Sequence, residues 1–234
     1  MDENPDQMEH FLSKGLVDPS RTTLIRGAGV DTHRFAPTPL PNEPFTAVLP
    51  ARMLLDKGVR EFVDASRILK RTMPQLAVRM VLCGGLDPDN RSAIDEATIR
   101  QWESEKSVEW WGHQTDMTAV WKRAHIAVLP SYAEGLPLAL AEAASSGRAV
   151  ITTDVPGCRE TVRDGQTGWL VPVRDPNAIA RAISEAASDR TELERRAVLG
   201  RQFAVEVLSE DRVIRETLAV ARRLPICWPT RPIK

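Results

Sequence analysis

Several features are scarce in this sequence of 234 residues, and each absence excludes a class of protein. The three cysteines are odd in number and scattered, so they make no disulfide framework and fit a reducing compartment. The four histidines form no metal-binding spacing, and neither an HExxH motif nor paired CxxC motifs occur. We therefore expect no metal site and no cofactor.

The sequence also lacks an excess of charge of one sign and long apolar runs. The net charge of -1 gives no reason to expect a nucleic-acid partner. No apolar run has transmembrane length, and residues 1–10 are acidic and polar, unlike a signal peptide. We expect a cytoplasmic protein, whose hydrophobic content of 42% is sufficient for a globular core.

From residue 45 onward, short apolar runs alternate with amphipathic segments. Strands are predicted at 45–51, 76–83, 108–111, 125–129, 149–152 and 168–171. Helices are predicted at 57–71, 90–105, 116–123, 137–146, 175–187, 190–205 and 210–223, with a short one near 159–163. The alternation predicts an α/β fold with a Rossmann-like parallel sheet and helices on both faces.

The residues before this regular pattern form no core of their own. A helix is predicted from Pro5 to Gly15, and a strand at 22–25. Gly27 and Gly29 give G-x-G without the third glycine of a dinucleotide-binding motif, so they predict a strand-end turn. The segment 36–44 reads APTPLPNEP and is predicted to be a connector.

The stretch 130–147, PSYAEGLPLALAEAASSG, combines a strand end, a loop and a helix. Pro130 ends the strand, Pro137 is predicted as the first helical residue, and Glu134, Gly135 and Glu142 lie around the turn between them. Ligands of open α/β sheets bind beyond the carboxyl ends of the strands, and a helix N-terminus attracts anions. Two carboxylates beside such amides suit a phosphate joined to a sugar, although each glutamate taken alone is better interpreted as a solvated charge.

A second loop supports this interpretation. Arg52 and Lys57 follow the first predicted strand, at the same edge of the sheet. The planar fork of Arg52 suits two phosphate oxygens, and Lys57 adds a mobile charge, which together predict a diphosphate pocket without a metal. The loop at Gly112 would allow a base edge to bond to backbone, while Trp110 and Trp111 are more often core residues.

These motifs resemble the group 1 glycosyltransferases, retaining family four, which have the GT-B fold. The matching elements are R-x4-K-G (Arg52, Lys57, Gly58), EGLPLALAE (134–142) and PGCRE (156–160), supported by GVD, WGH and DGxTGWLVP segments near Val30, Gly112 and Asp164. Ala51 stands where many members have glycine. The resemblance covers residues 1–220 or so.

The resemblance implies a role for each matched residue. Arg52 and Lys57 would bind the donor diphosphate and stabilise the leaving group, and Glu134 would contact a hydroxyl of the transferred sugar. The implied donor-binding set is Gly112, His113, Gly135, Leu136, Pro137 and Glu142, in which Glu142 accepts hydrogen bonds from ribose, Gly112 and His113 flank the base, and the others form a sugar and phosphate cradle. Transfer would retain the configuration at the anomeric carbon.

The resemblance also implies an organisation. Residues 1–25 would be the end of a missing N-terminal acceptor domain or a linker, 26–205 the donor-binding domain, 206–223 a helix crossing back, and 224–234 a Pro-rich tail. The expected partners are a nucleotide-sugar, most simply a UDP-sugar, and a saccharide or lipid-linked acceptor at the inner membrane face, or a second copy through the exposed flanking helices. A non-catalytic nucleotide-sugar binding module and a GT-B epimerase remain alternatives.

Overall fold

The computed structural model describes residues 5–42 and 44–222, in which six parallel strands form one sheet. The strands are β1 (Phe45–Pro50), β2 (Val78–Cys83), β3 (Glu109–Trp110), β4 (Ile126–Leu129), β5 (Ala149–Thr153) and β6 (Gly168–Val171). The α-helices are α1 (Pro5–Ser13), α2 (Val59–Thr72), α3 (Glu96–Ser104), α4 (Met117–Arg123), α5 (Leu138–Ser145), α6 (Pro176–Ser188), α7 (Arg190–Phe203) and α8 (Glu210–Ala221). The predicted Rossmann-like α/β fold is confirmed.

The strand order places a crevice at the centre of the sheet. The order is β3-β2-β1-β4-β5-β6, so the chain runs outward from β1 in one direction and from β4 in the other. The connections after β1 and β4 therefore lead to opposite faces. In open α/β sheets this switch point leaves room beyond the carboxyl ends of the strands, where ligands bind.

The strands form because their residues are apolar on both faces. Every residue of β1 and of β4 is buried, as expected for inner strands of a sheet covered on both sides. One apolar layer includes Phe62 of α2 and Ile179 of α6, and the opposite layer includes Leu140 of α5 and Val120 of α4. The two layers hold the sheet between them and leave its carboxyl edge open.

Three of the predicted elements differ from the structure for local reasons. Residues 22–25 form no strand of the sheet, and the pairing within them is an isolated bridge at Leu24. The helix predicted from residue 57 begins at Val59, because Gly58 has φ 71° and breaks the preceding 3-10 turn Leu55–Lys57. The helix predicted from residue 90 begins at Glu96, after Asp95 caps it.

The C-terminal helices are not continuous. The chain passes from α7 into a single π-helical turn, Ala204–Leu208, before α8 begins at Glu210. Residues 206–223, predicted as one crossing helix, therefore comprise the end of this turn and α8, with residue 223 outside the described part. Residues 1–4 and the predicted tail 224–234 also lie outside the described residues.

The amino edge of the sheet is closed by two arginines. Arg148 is fully buried and donates to the carbonyl oxygens of Trp121 and Thr38, both at 2.7 Å. Burial lowers the pKa of Arg148 to about 10. Arg201 donates to the carbonyls of Phe35 at 3.2 Å and Ser145 at 2.9 Å. These bonds attach the segment before β1 to the body of the domain.

Candidate functional site

A cleft of about 260 Å³ lies at the carboxyl edge, beside the switch point. Its walls include the loop after β1, the loop after β2, the start of α4 and the first turns of α5. The lining residues include Arg52, Cys83, His113, Met117, Ala139 and Glu142. The tertiary structure thus brings together three residues predicted for the site, from positions 52, 113 and 142.

Glu142 lies on the second turn of α5 and faces this cleft. Burial raises the pKa of its carboxyl group, while the Trp121 side chain and the positive charge of Arg34 oppose this change. A half-buried carboxylate of this kind is a good acceptor for hydroxyl groups, because few waters compete for its oxygens. Neither Trp121 nor Arg34 was predicted for the site.

Lys57 and Glu134 form a second cluster. The distance from Lys57 Nζ to Glu134 Oε1 is 2.7 Å, and their side chains are only 19% and 13% exposed. Ser131 Oγ donates to the same oxygen at 2.6 Å. The amide of Tyr132 donates to the Asp56 carbonyl at 2.9 Å and so joins the loops after β1 and β4. Two motifs far apart in sequence therefore meet at the switch point.

Arg52 is more exposed than the Lys57–Glu134 pair. Its side chain is 59% exposed and forms an ion pair with Asp87, which is 24% exposed. Asp87 was not predicted as a site residue. It nevertheless follows the carboxyl end of β2, and in open α/β sheets ligands bind beyond the carboxyl ends of the strands. The same rule that predicted the loops after β1 and β4 therefore also predicts the loop of Asp87. The backbones of the two loops are joined by hydrogen bonds from Met53 N to Gly85 O at 3.0 Å and from Leu55 N to Ser92 O at 2.8 Å.

The close approach of these loops depends on Gly84. A Cβ atom at this position would lie 1.8 Å from the carbonyl oxygen of Ala51. No other residue fits there without a backbone shift. Gly84 therefore fixes the separation between the loop of Arg52 and the loop of Asp87.

The N-terminus of α5 faces the same region. Pro137 precedes the helix as its N-cap and is not its first residue, which corrects the prediction, and its carbonyl accepts from the Leu140 amide at 2.9 Å. No side chain caps this end. Within the described residues no acceptor is seen for the amides of Leu138 and Ala139, which are consequently available to an anion.

The rest of the predicted cradle is shaped by two glycines. Gly135 is exposed and Leu136 is half-buried. A Cβ atom on Gly27 would lie 2.7 Å from Leu136 Cδ2, and one on Gly157 would lie 2.1 Å from the Gly135 carbonyl oxygen. The 156–160 loop and the turn at 27–29 therefore support the cradle from behind.

The loop at 110–113 divides into structural and exposed residues. Trp110 Nε1 donates to the Gly84 carbonyl at 2.9 Å, and the Arg123 guanidinium lies 3.8 Å from the ring centre of Trp111. Both tryptophans therefore have structural contacts. Gly112 has φ 66° and turns the chain so that His113 is exposed at the cleft, while Gly112 itself is not among the cleft residues described.

A cavity larger than this cleft lies elsewhere. It has a volume of about 500 Å³ and is lined by residues that include Leu40, Gly147 and Val198. Leu40 precedes β1 and Gly147 precedes β5, so this cavity is at the amino edge, remote from the predicted chemistry. Within 5–42 and 44–222, no helix is long and apolar enough to cross a membrane, and no cluster of three or more His, Cys, Asp or Glu could hold a metal.

A family model described as "Glycosyl transferases group 1" matches residues 44–189, which include both loops of the site and α5. The chain belongs to the group 1 glycosyltransferases. It is 26% identical over 200 residues to an N,N'-diacetylbacillosaminyl-diphospho-undecaprenol alpha-1,3-N-acetylgalactosaminyltransferase of Campylobacter jejuni, covering 80% of this chain and 50% of that protein. The chain spans about half the length of the curated relatives it matches.

Solved structures agree on the fold. The Anabaena protein HepE in complex with UDP superimposes with a TM-score of 0.82 at 18% identity, over 95% of this chain and 63% of HepE. The C-terminal domain of the group 1 glycosyl transferase LpcC from Francisella tularensis matches with a TM-score of 0.66 at 23% identity, over 77% of this chain and 99% of that domain. The glycosyltransferase chain thus has the Rossmann-like architecture of GT-B enzymes.

Proposed function

We propose that this chain is the donor-binding half of a glycosyltransferase that takes a sugar from a UDP-sugar and transfers it with retention to a saccharide or lipid-linked acceptor. The observation that carries the proposal is the convergence of Arg52, Lys57, Glu134, Glu142 and the uncapped N-terminus of α5 around one switch point. HepE, which shares the fold, was solved with UDP, and the C. jejuni relative is named for a diphospho-undecaprenol substrate. The substrate in the name of the C. jejuni relative is consistent with cell-surface polysaccharide assembly.

The cations act on the diphosphate. Arg52 presents a largely exposed guanidinium, and Lys57 lies between the loops after β1 and β4. As the bond to the sugar breaks, negative charge grows on the diphosphate, and fixed cations stabilise it more than they stabilise the intact donor. Two cations and the amides of α5 offset this charge, so we propose transfer without a divalent metal.

The carboxylates act on hydroxyl groups. Glu142 faces the cleft and accepts from the ribose, and His113 at the cleft borders the base. Gly112, which precedes His113 with φ 66°, sets the turn that presents it. Glu134, which is paired with Lys57 in the ligand-free chain, accepts from a hydroxyl of the transferred sugar. Gly135, Leu136 and Pro137 lead the chain into α5 and form the cradle. Neither glutamate addresses the anomeric carbon, so the two-carboxylate glycosidase scheme does not apply.

Transfer also requires an acceptor held in line with the anomeric carbon, and such orientation supplies roughly 7–11 kcal/mol of barrier lowering. We propose that a further domain holds the acceptor at the membrane face and that these 234 residues bind donor without efficient transfer. Ile214 and Leu218 of α8, 52% and 47% exposed, offer an apolar strip to that domain or to a second copy.

The test of donor binding is thermal unfolding with UDP in excess EDTA. A ligand at ~100 times its dissociation constant stabilises the fold by about 2.7 kcal/mol, which raises the melting temperature by roughly 5–10 °C for a domain of this size. A matched sample contains UDP with Mg²⁺. If only the Mg²⁺ sample shifts, the metal-free site is wrong, and if neither shifts, donor binding itself is wrong.

A turnover assay tests whether these 234 residues alone are sufficient for transfer. UDP-sugars are offered with a pool of extracted lipid acceptors, and light scattering reports the oligomeric state. UDP binding with little or no turnover agrees with a donor-binding half. Robust turnover by a monomer of these residues contradicts it.

A further inference from the structure

Arg52 is paired with an acidic side chain. Its Nη1 is paired with a carboxylate oxygen of Asp87, and no other acceptor for its guanidinium is described in the two resolved ranges 5–42 and 44–222. We propose that Asp87 is a built-in competitor for the donor diphosphate, which holds Arg52 in the empty site and must be displaced by the outer phosphate. The proposal rests on the proposed function of the same cleft.

The geometry favours exchange over a permanent structural pair. Arg52 is 59% exposed, and ion pairs at such exposure are among the weakest in proteins. The contact uses one of the five N–H groups of the guanidinium, whereas a phosphate engages two in a bidentate arrangement. An outer phosphate therefore accepts more hydrogen bonds from Arg52 than Asp87 does.

Asp87 remains near the ligand after exchange, because its segment is anchored. The backbone bonds from Met53 N to Gly85 O and from Ile94 N to Met53 O, at 3.0 and 2.9 Å, join the two loops. Gly84 fixes their separation at the Ala51 carbonyl. The displaced carboxylate consequently repels the bound diphosphate.

The consequence is weaker retention of the nucleoside diphosphate product. Both effects of Asp87, competition for Arg52 and repulsion, act on the outer phosphate and not on the ribose or the base. Asp87 should therefore reduce affinity for UDP more than for UMP, and leave uridine unaffected. The competition acts through Arg52, so Asp87 is a positioning residue.

The test is calorimetric titration of the Asp87→Asn variant with UDP, UMP and uridine. We expect UDP affinity to rise about two- to fivefold, because an exposed ion pair no longer has to be broken. The affinity for UMP should rise less, and the affinity for uridine should not change. The increase in UDP affinity should be smaller at ~1 M salt, where charges are screened beyond about 3 Å.

Asp89→Asn is the matched control. Asp89 is an exposed acidic residue on the same turn, and no contact of its side chain with Arg52 is described. The substitution removes the same charge two positions away. An equal UDP gain in this variant would show a general charge effect and would overturn the proposal.

A double-mutant cycle isolates the role of Arg52. In an Arg52→Ala background the gain in UDP affinity from Asp87→Asn should shrink to the part that repulsion contributes, and an undiminished gain contradicts the proposal. Unchanged UDP affinity of Asp87→Asn, with an unchanged melting temperature, overturns this inference while the donor site stands. A wild-type chain that binds neither UDP nor uridine overturns the proposed function and the inference together.

Discussion

The two edges of the sheet hold their arginines in opposite ways. At the amino edge, Arg148 is fully buried and every acceptor described for it is neutral, including the carbonyls of Trp121, Thr38 and Pro39. At the carboxyl edge, Arg52 is mostly exposed and contacts the single carboxylate of Asp87. Arg148 therefore stabilises the fold, whereas Arg52 can exchange its carboxylate partner for another anion.

The difference shows what distinguishes a structural cation from a ligand-binding one. Carbonyls held in place by the backbone satisfy Arg148 without a counter-ion, so an anion would find no free N–H groups in an accessible position. Lys57 lies between these extremes, since it is largely buried but paired with one carboxylate, Glu134. Four substitutions test this ordering.

Arg148→Met should have the largest effect on stability. It leaves several buried carbonyls without donors, and each unsatisfied group costs about 1–3 kcal/mol, so we expect a loss of about 3 kcal/mol or more. Urea denaturation measures it. Arg148→Lys should be intermediate, because the ammonium has fewer donors. A variant that lost UDP affinity while keeping full stability would contradict the assignment.

Lys57→Met should affect both stability and binding. It leaves Glu134 buried without its cation, at a cost of about 1–3 kcal/mol, and it removes a phosphate contact worth about tenfold in UDP affinity. The double variant Lys57→Met with Glu134→Gln should regain stability but not UDP affinity. Recovery of both would show that the pair is structural only.

Arg52→Ala should affect binding alone. The exposed side chain contributes little to folding, so the free energy of unfolding should change by less than about 0.5 kcal/mol. UDP affinity should fall about tenfold, since a charge-assisted bond is lost, and UMP affinity should fall less. Arg60→Ala, at an exposed position of α2, is the control for charge. Equal losses for UDP and UMP would place Arg52 away from the outer phosphate.

Glu142→Gln should have the smallest effect on the fold, and the size of this effect depends on pH. Burial raises the pKa of Glu142 above its ordinary value of 4.5, so ionising it destabilises the folded state at neutral pH. The variant should therefore be more stable than wild type near about pH 7.5, and this gain should vanish near about pH 4, where both states are protonated. Uridine should nevertheless bind more weakly, because a ribose acceptor is lost. Unfolding curves and titrations at the two pH values check both parts.

Much of the architecture could be predicted from local pattern. The run from Phe45 and the run before Pro130 are apolar on both faces, and only inner strands of a covered parallel sheet bury such runs. That Lys57 and Glu134 lie at the same edge of the sheet was predicted from a rule of topology, since both follow the carboxyl ends of parallel strands. Their ion pair was not predicted. The strand predicted at 22–25 was wrong because a short β-branched run cannot by itself specify a pairing partner.

The sequence alone determined the alternation of strands and helices, the residue types at the carboxyl edge and the resemblance to group 1 glycosyltransferases, because these depend on periodicity and spacing along the chain. Only the tertiary structure decided which charges meet. Asp87 comes to Arg52 through the approach of two loops at Gly84, and the burial of Glu142 and Arg148 depends on neighbours distant in sequence. Charge partners and burial are properties of packing in three dimensions, which local pattern does not encode.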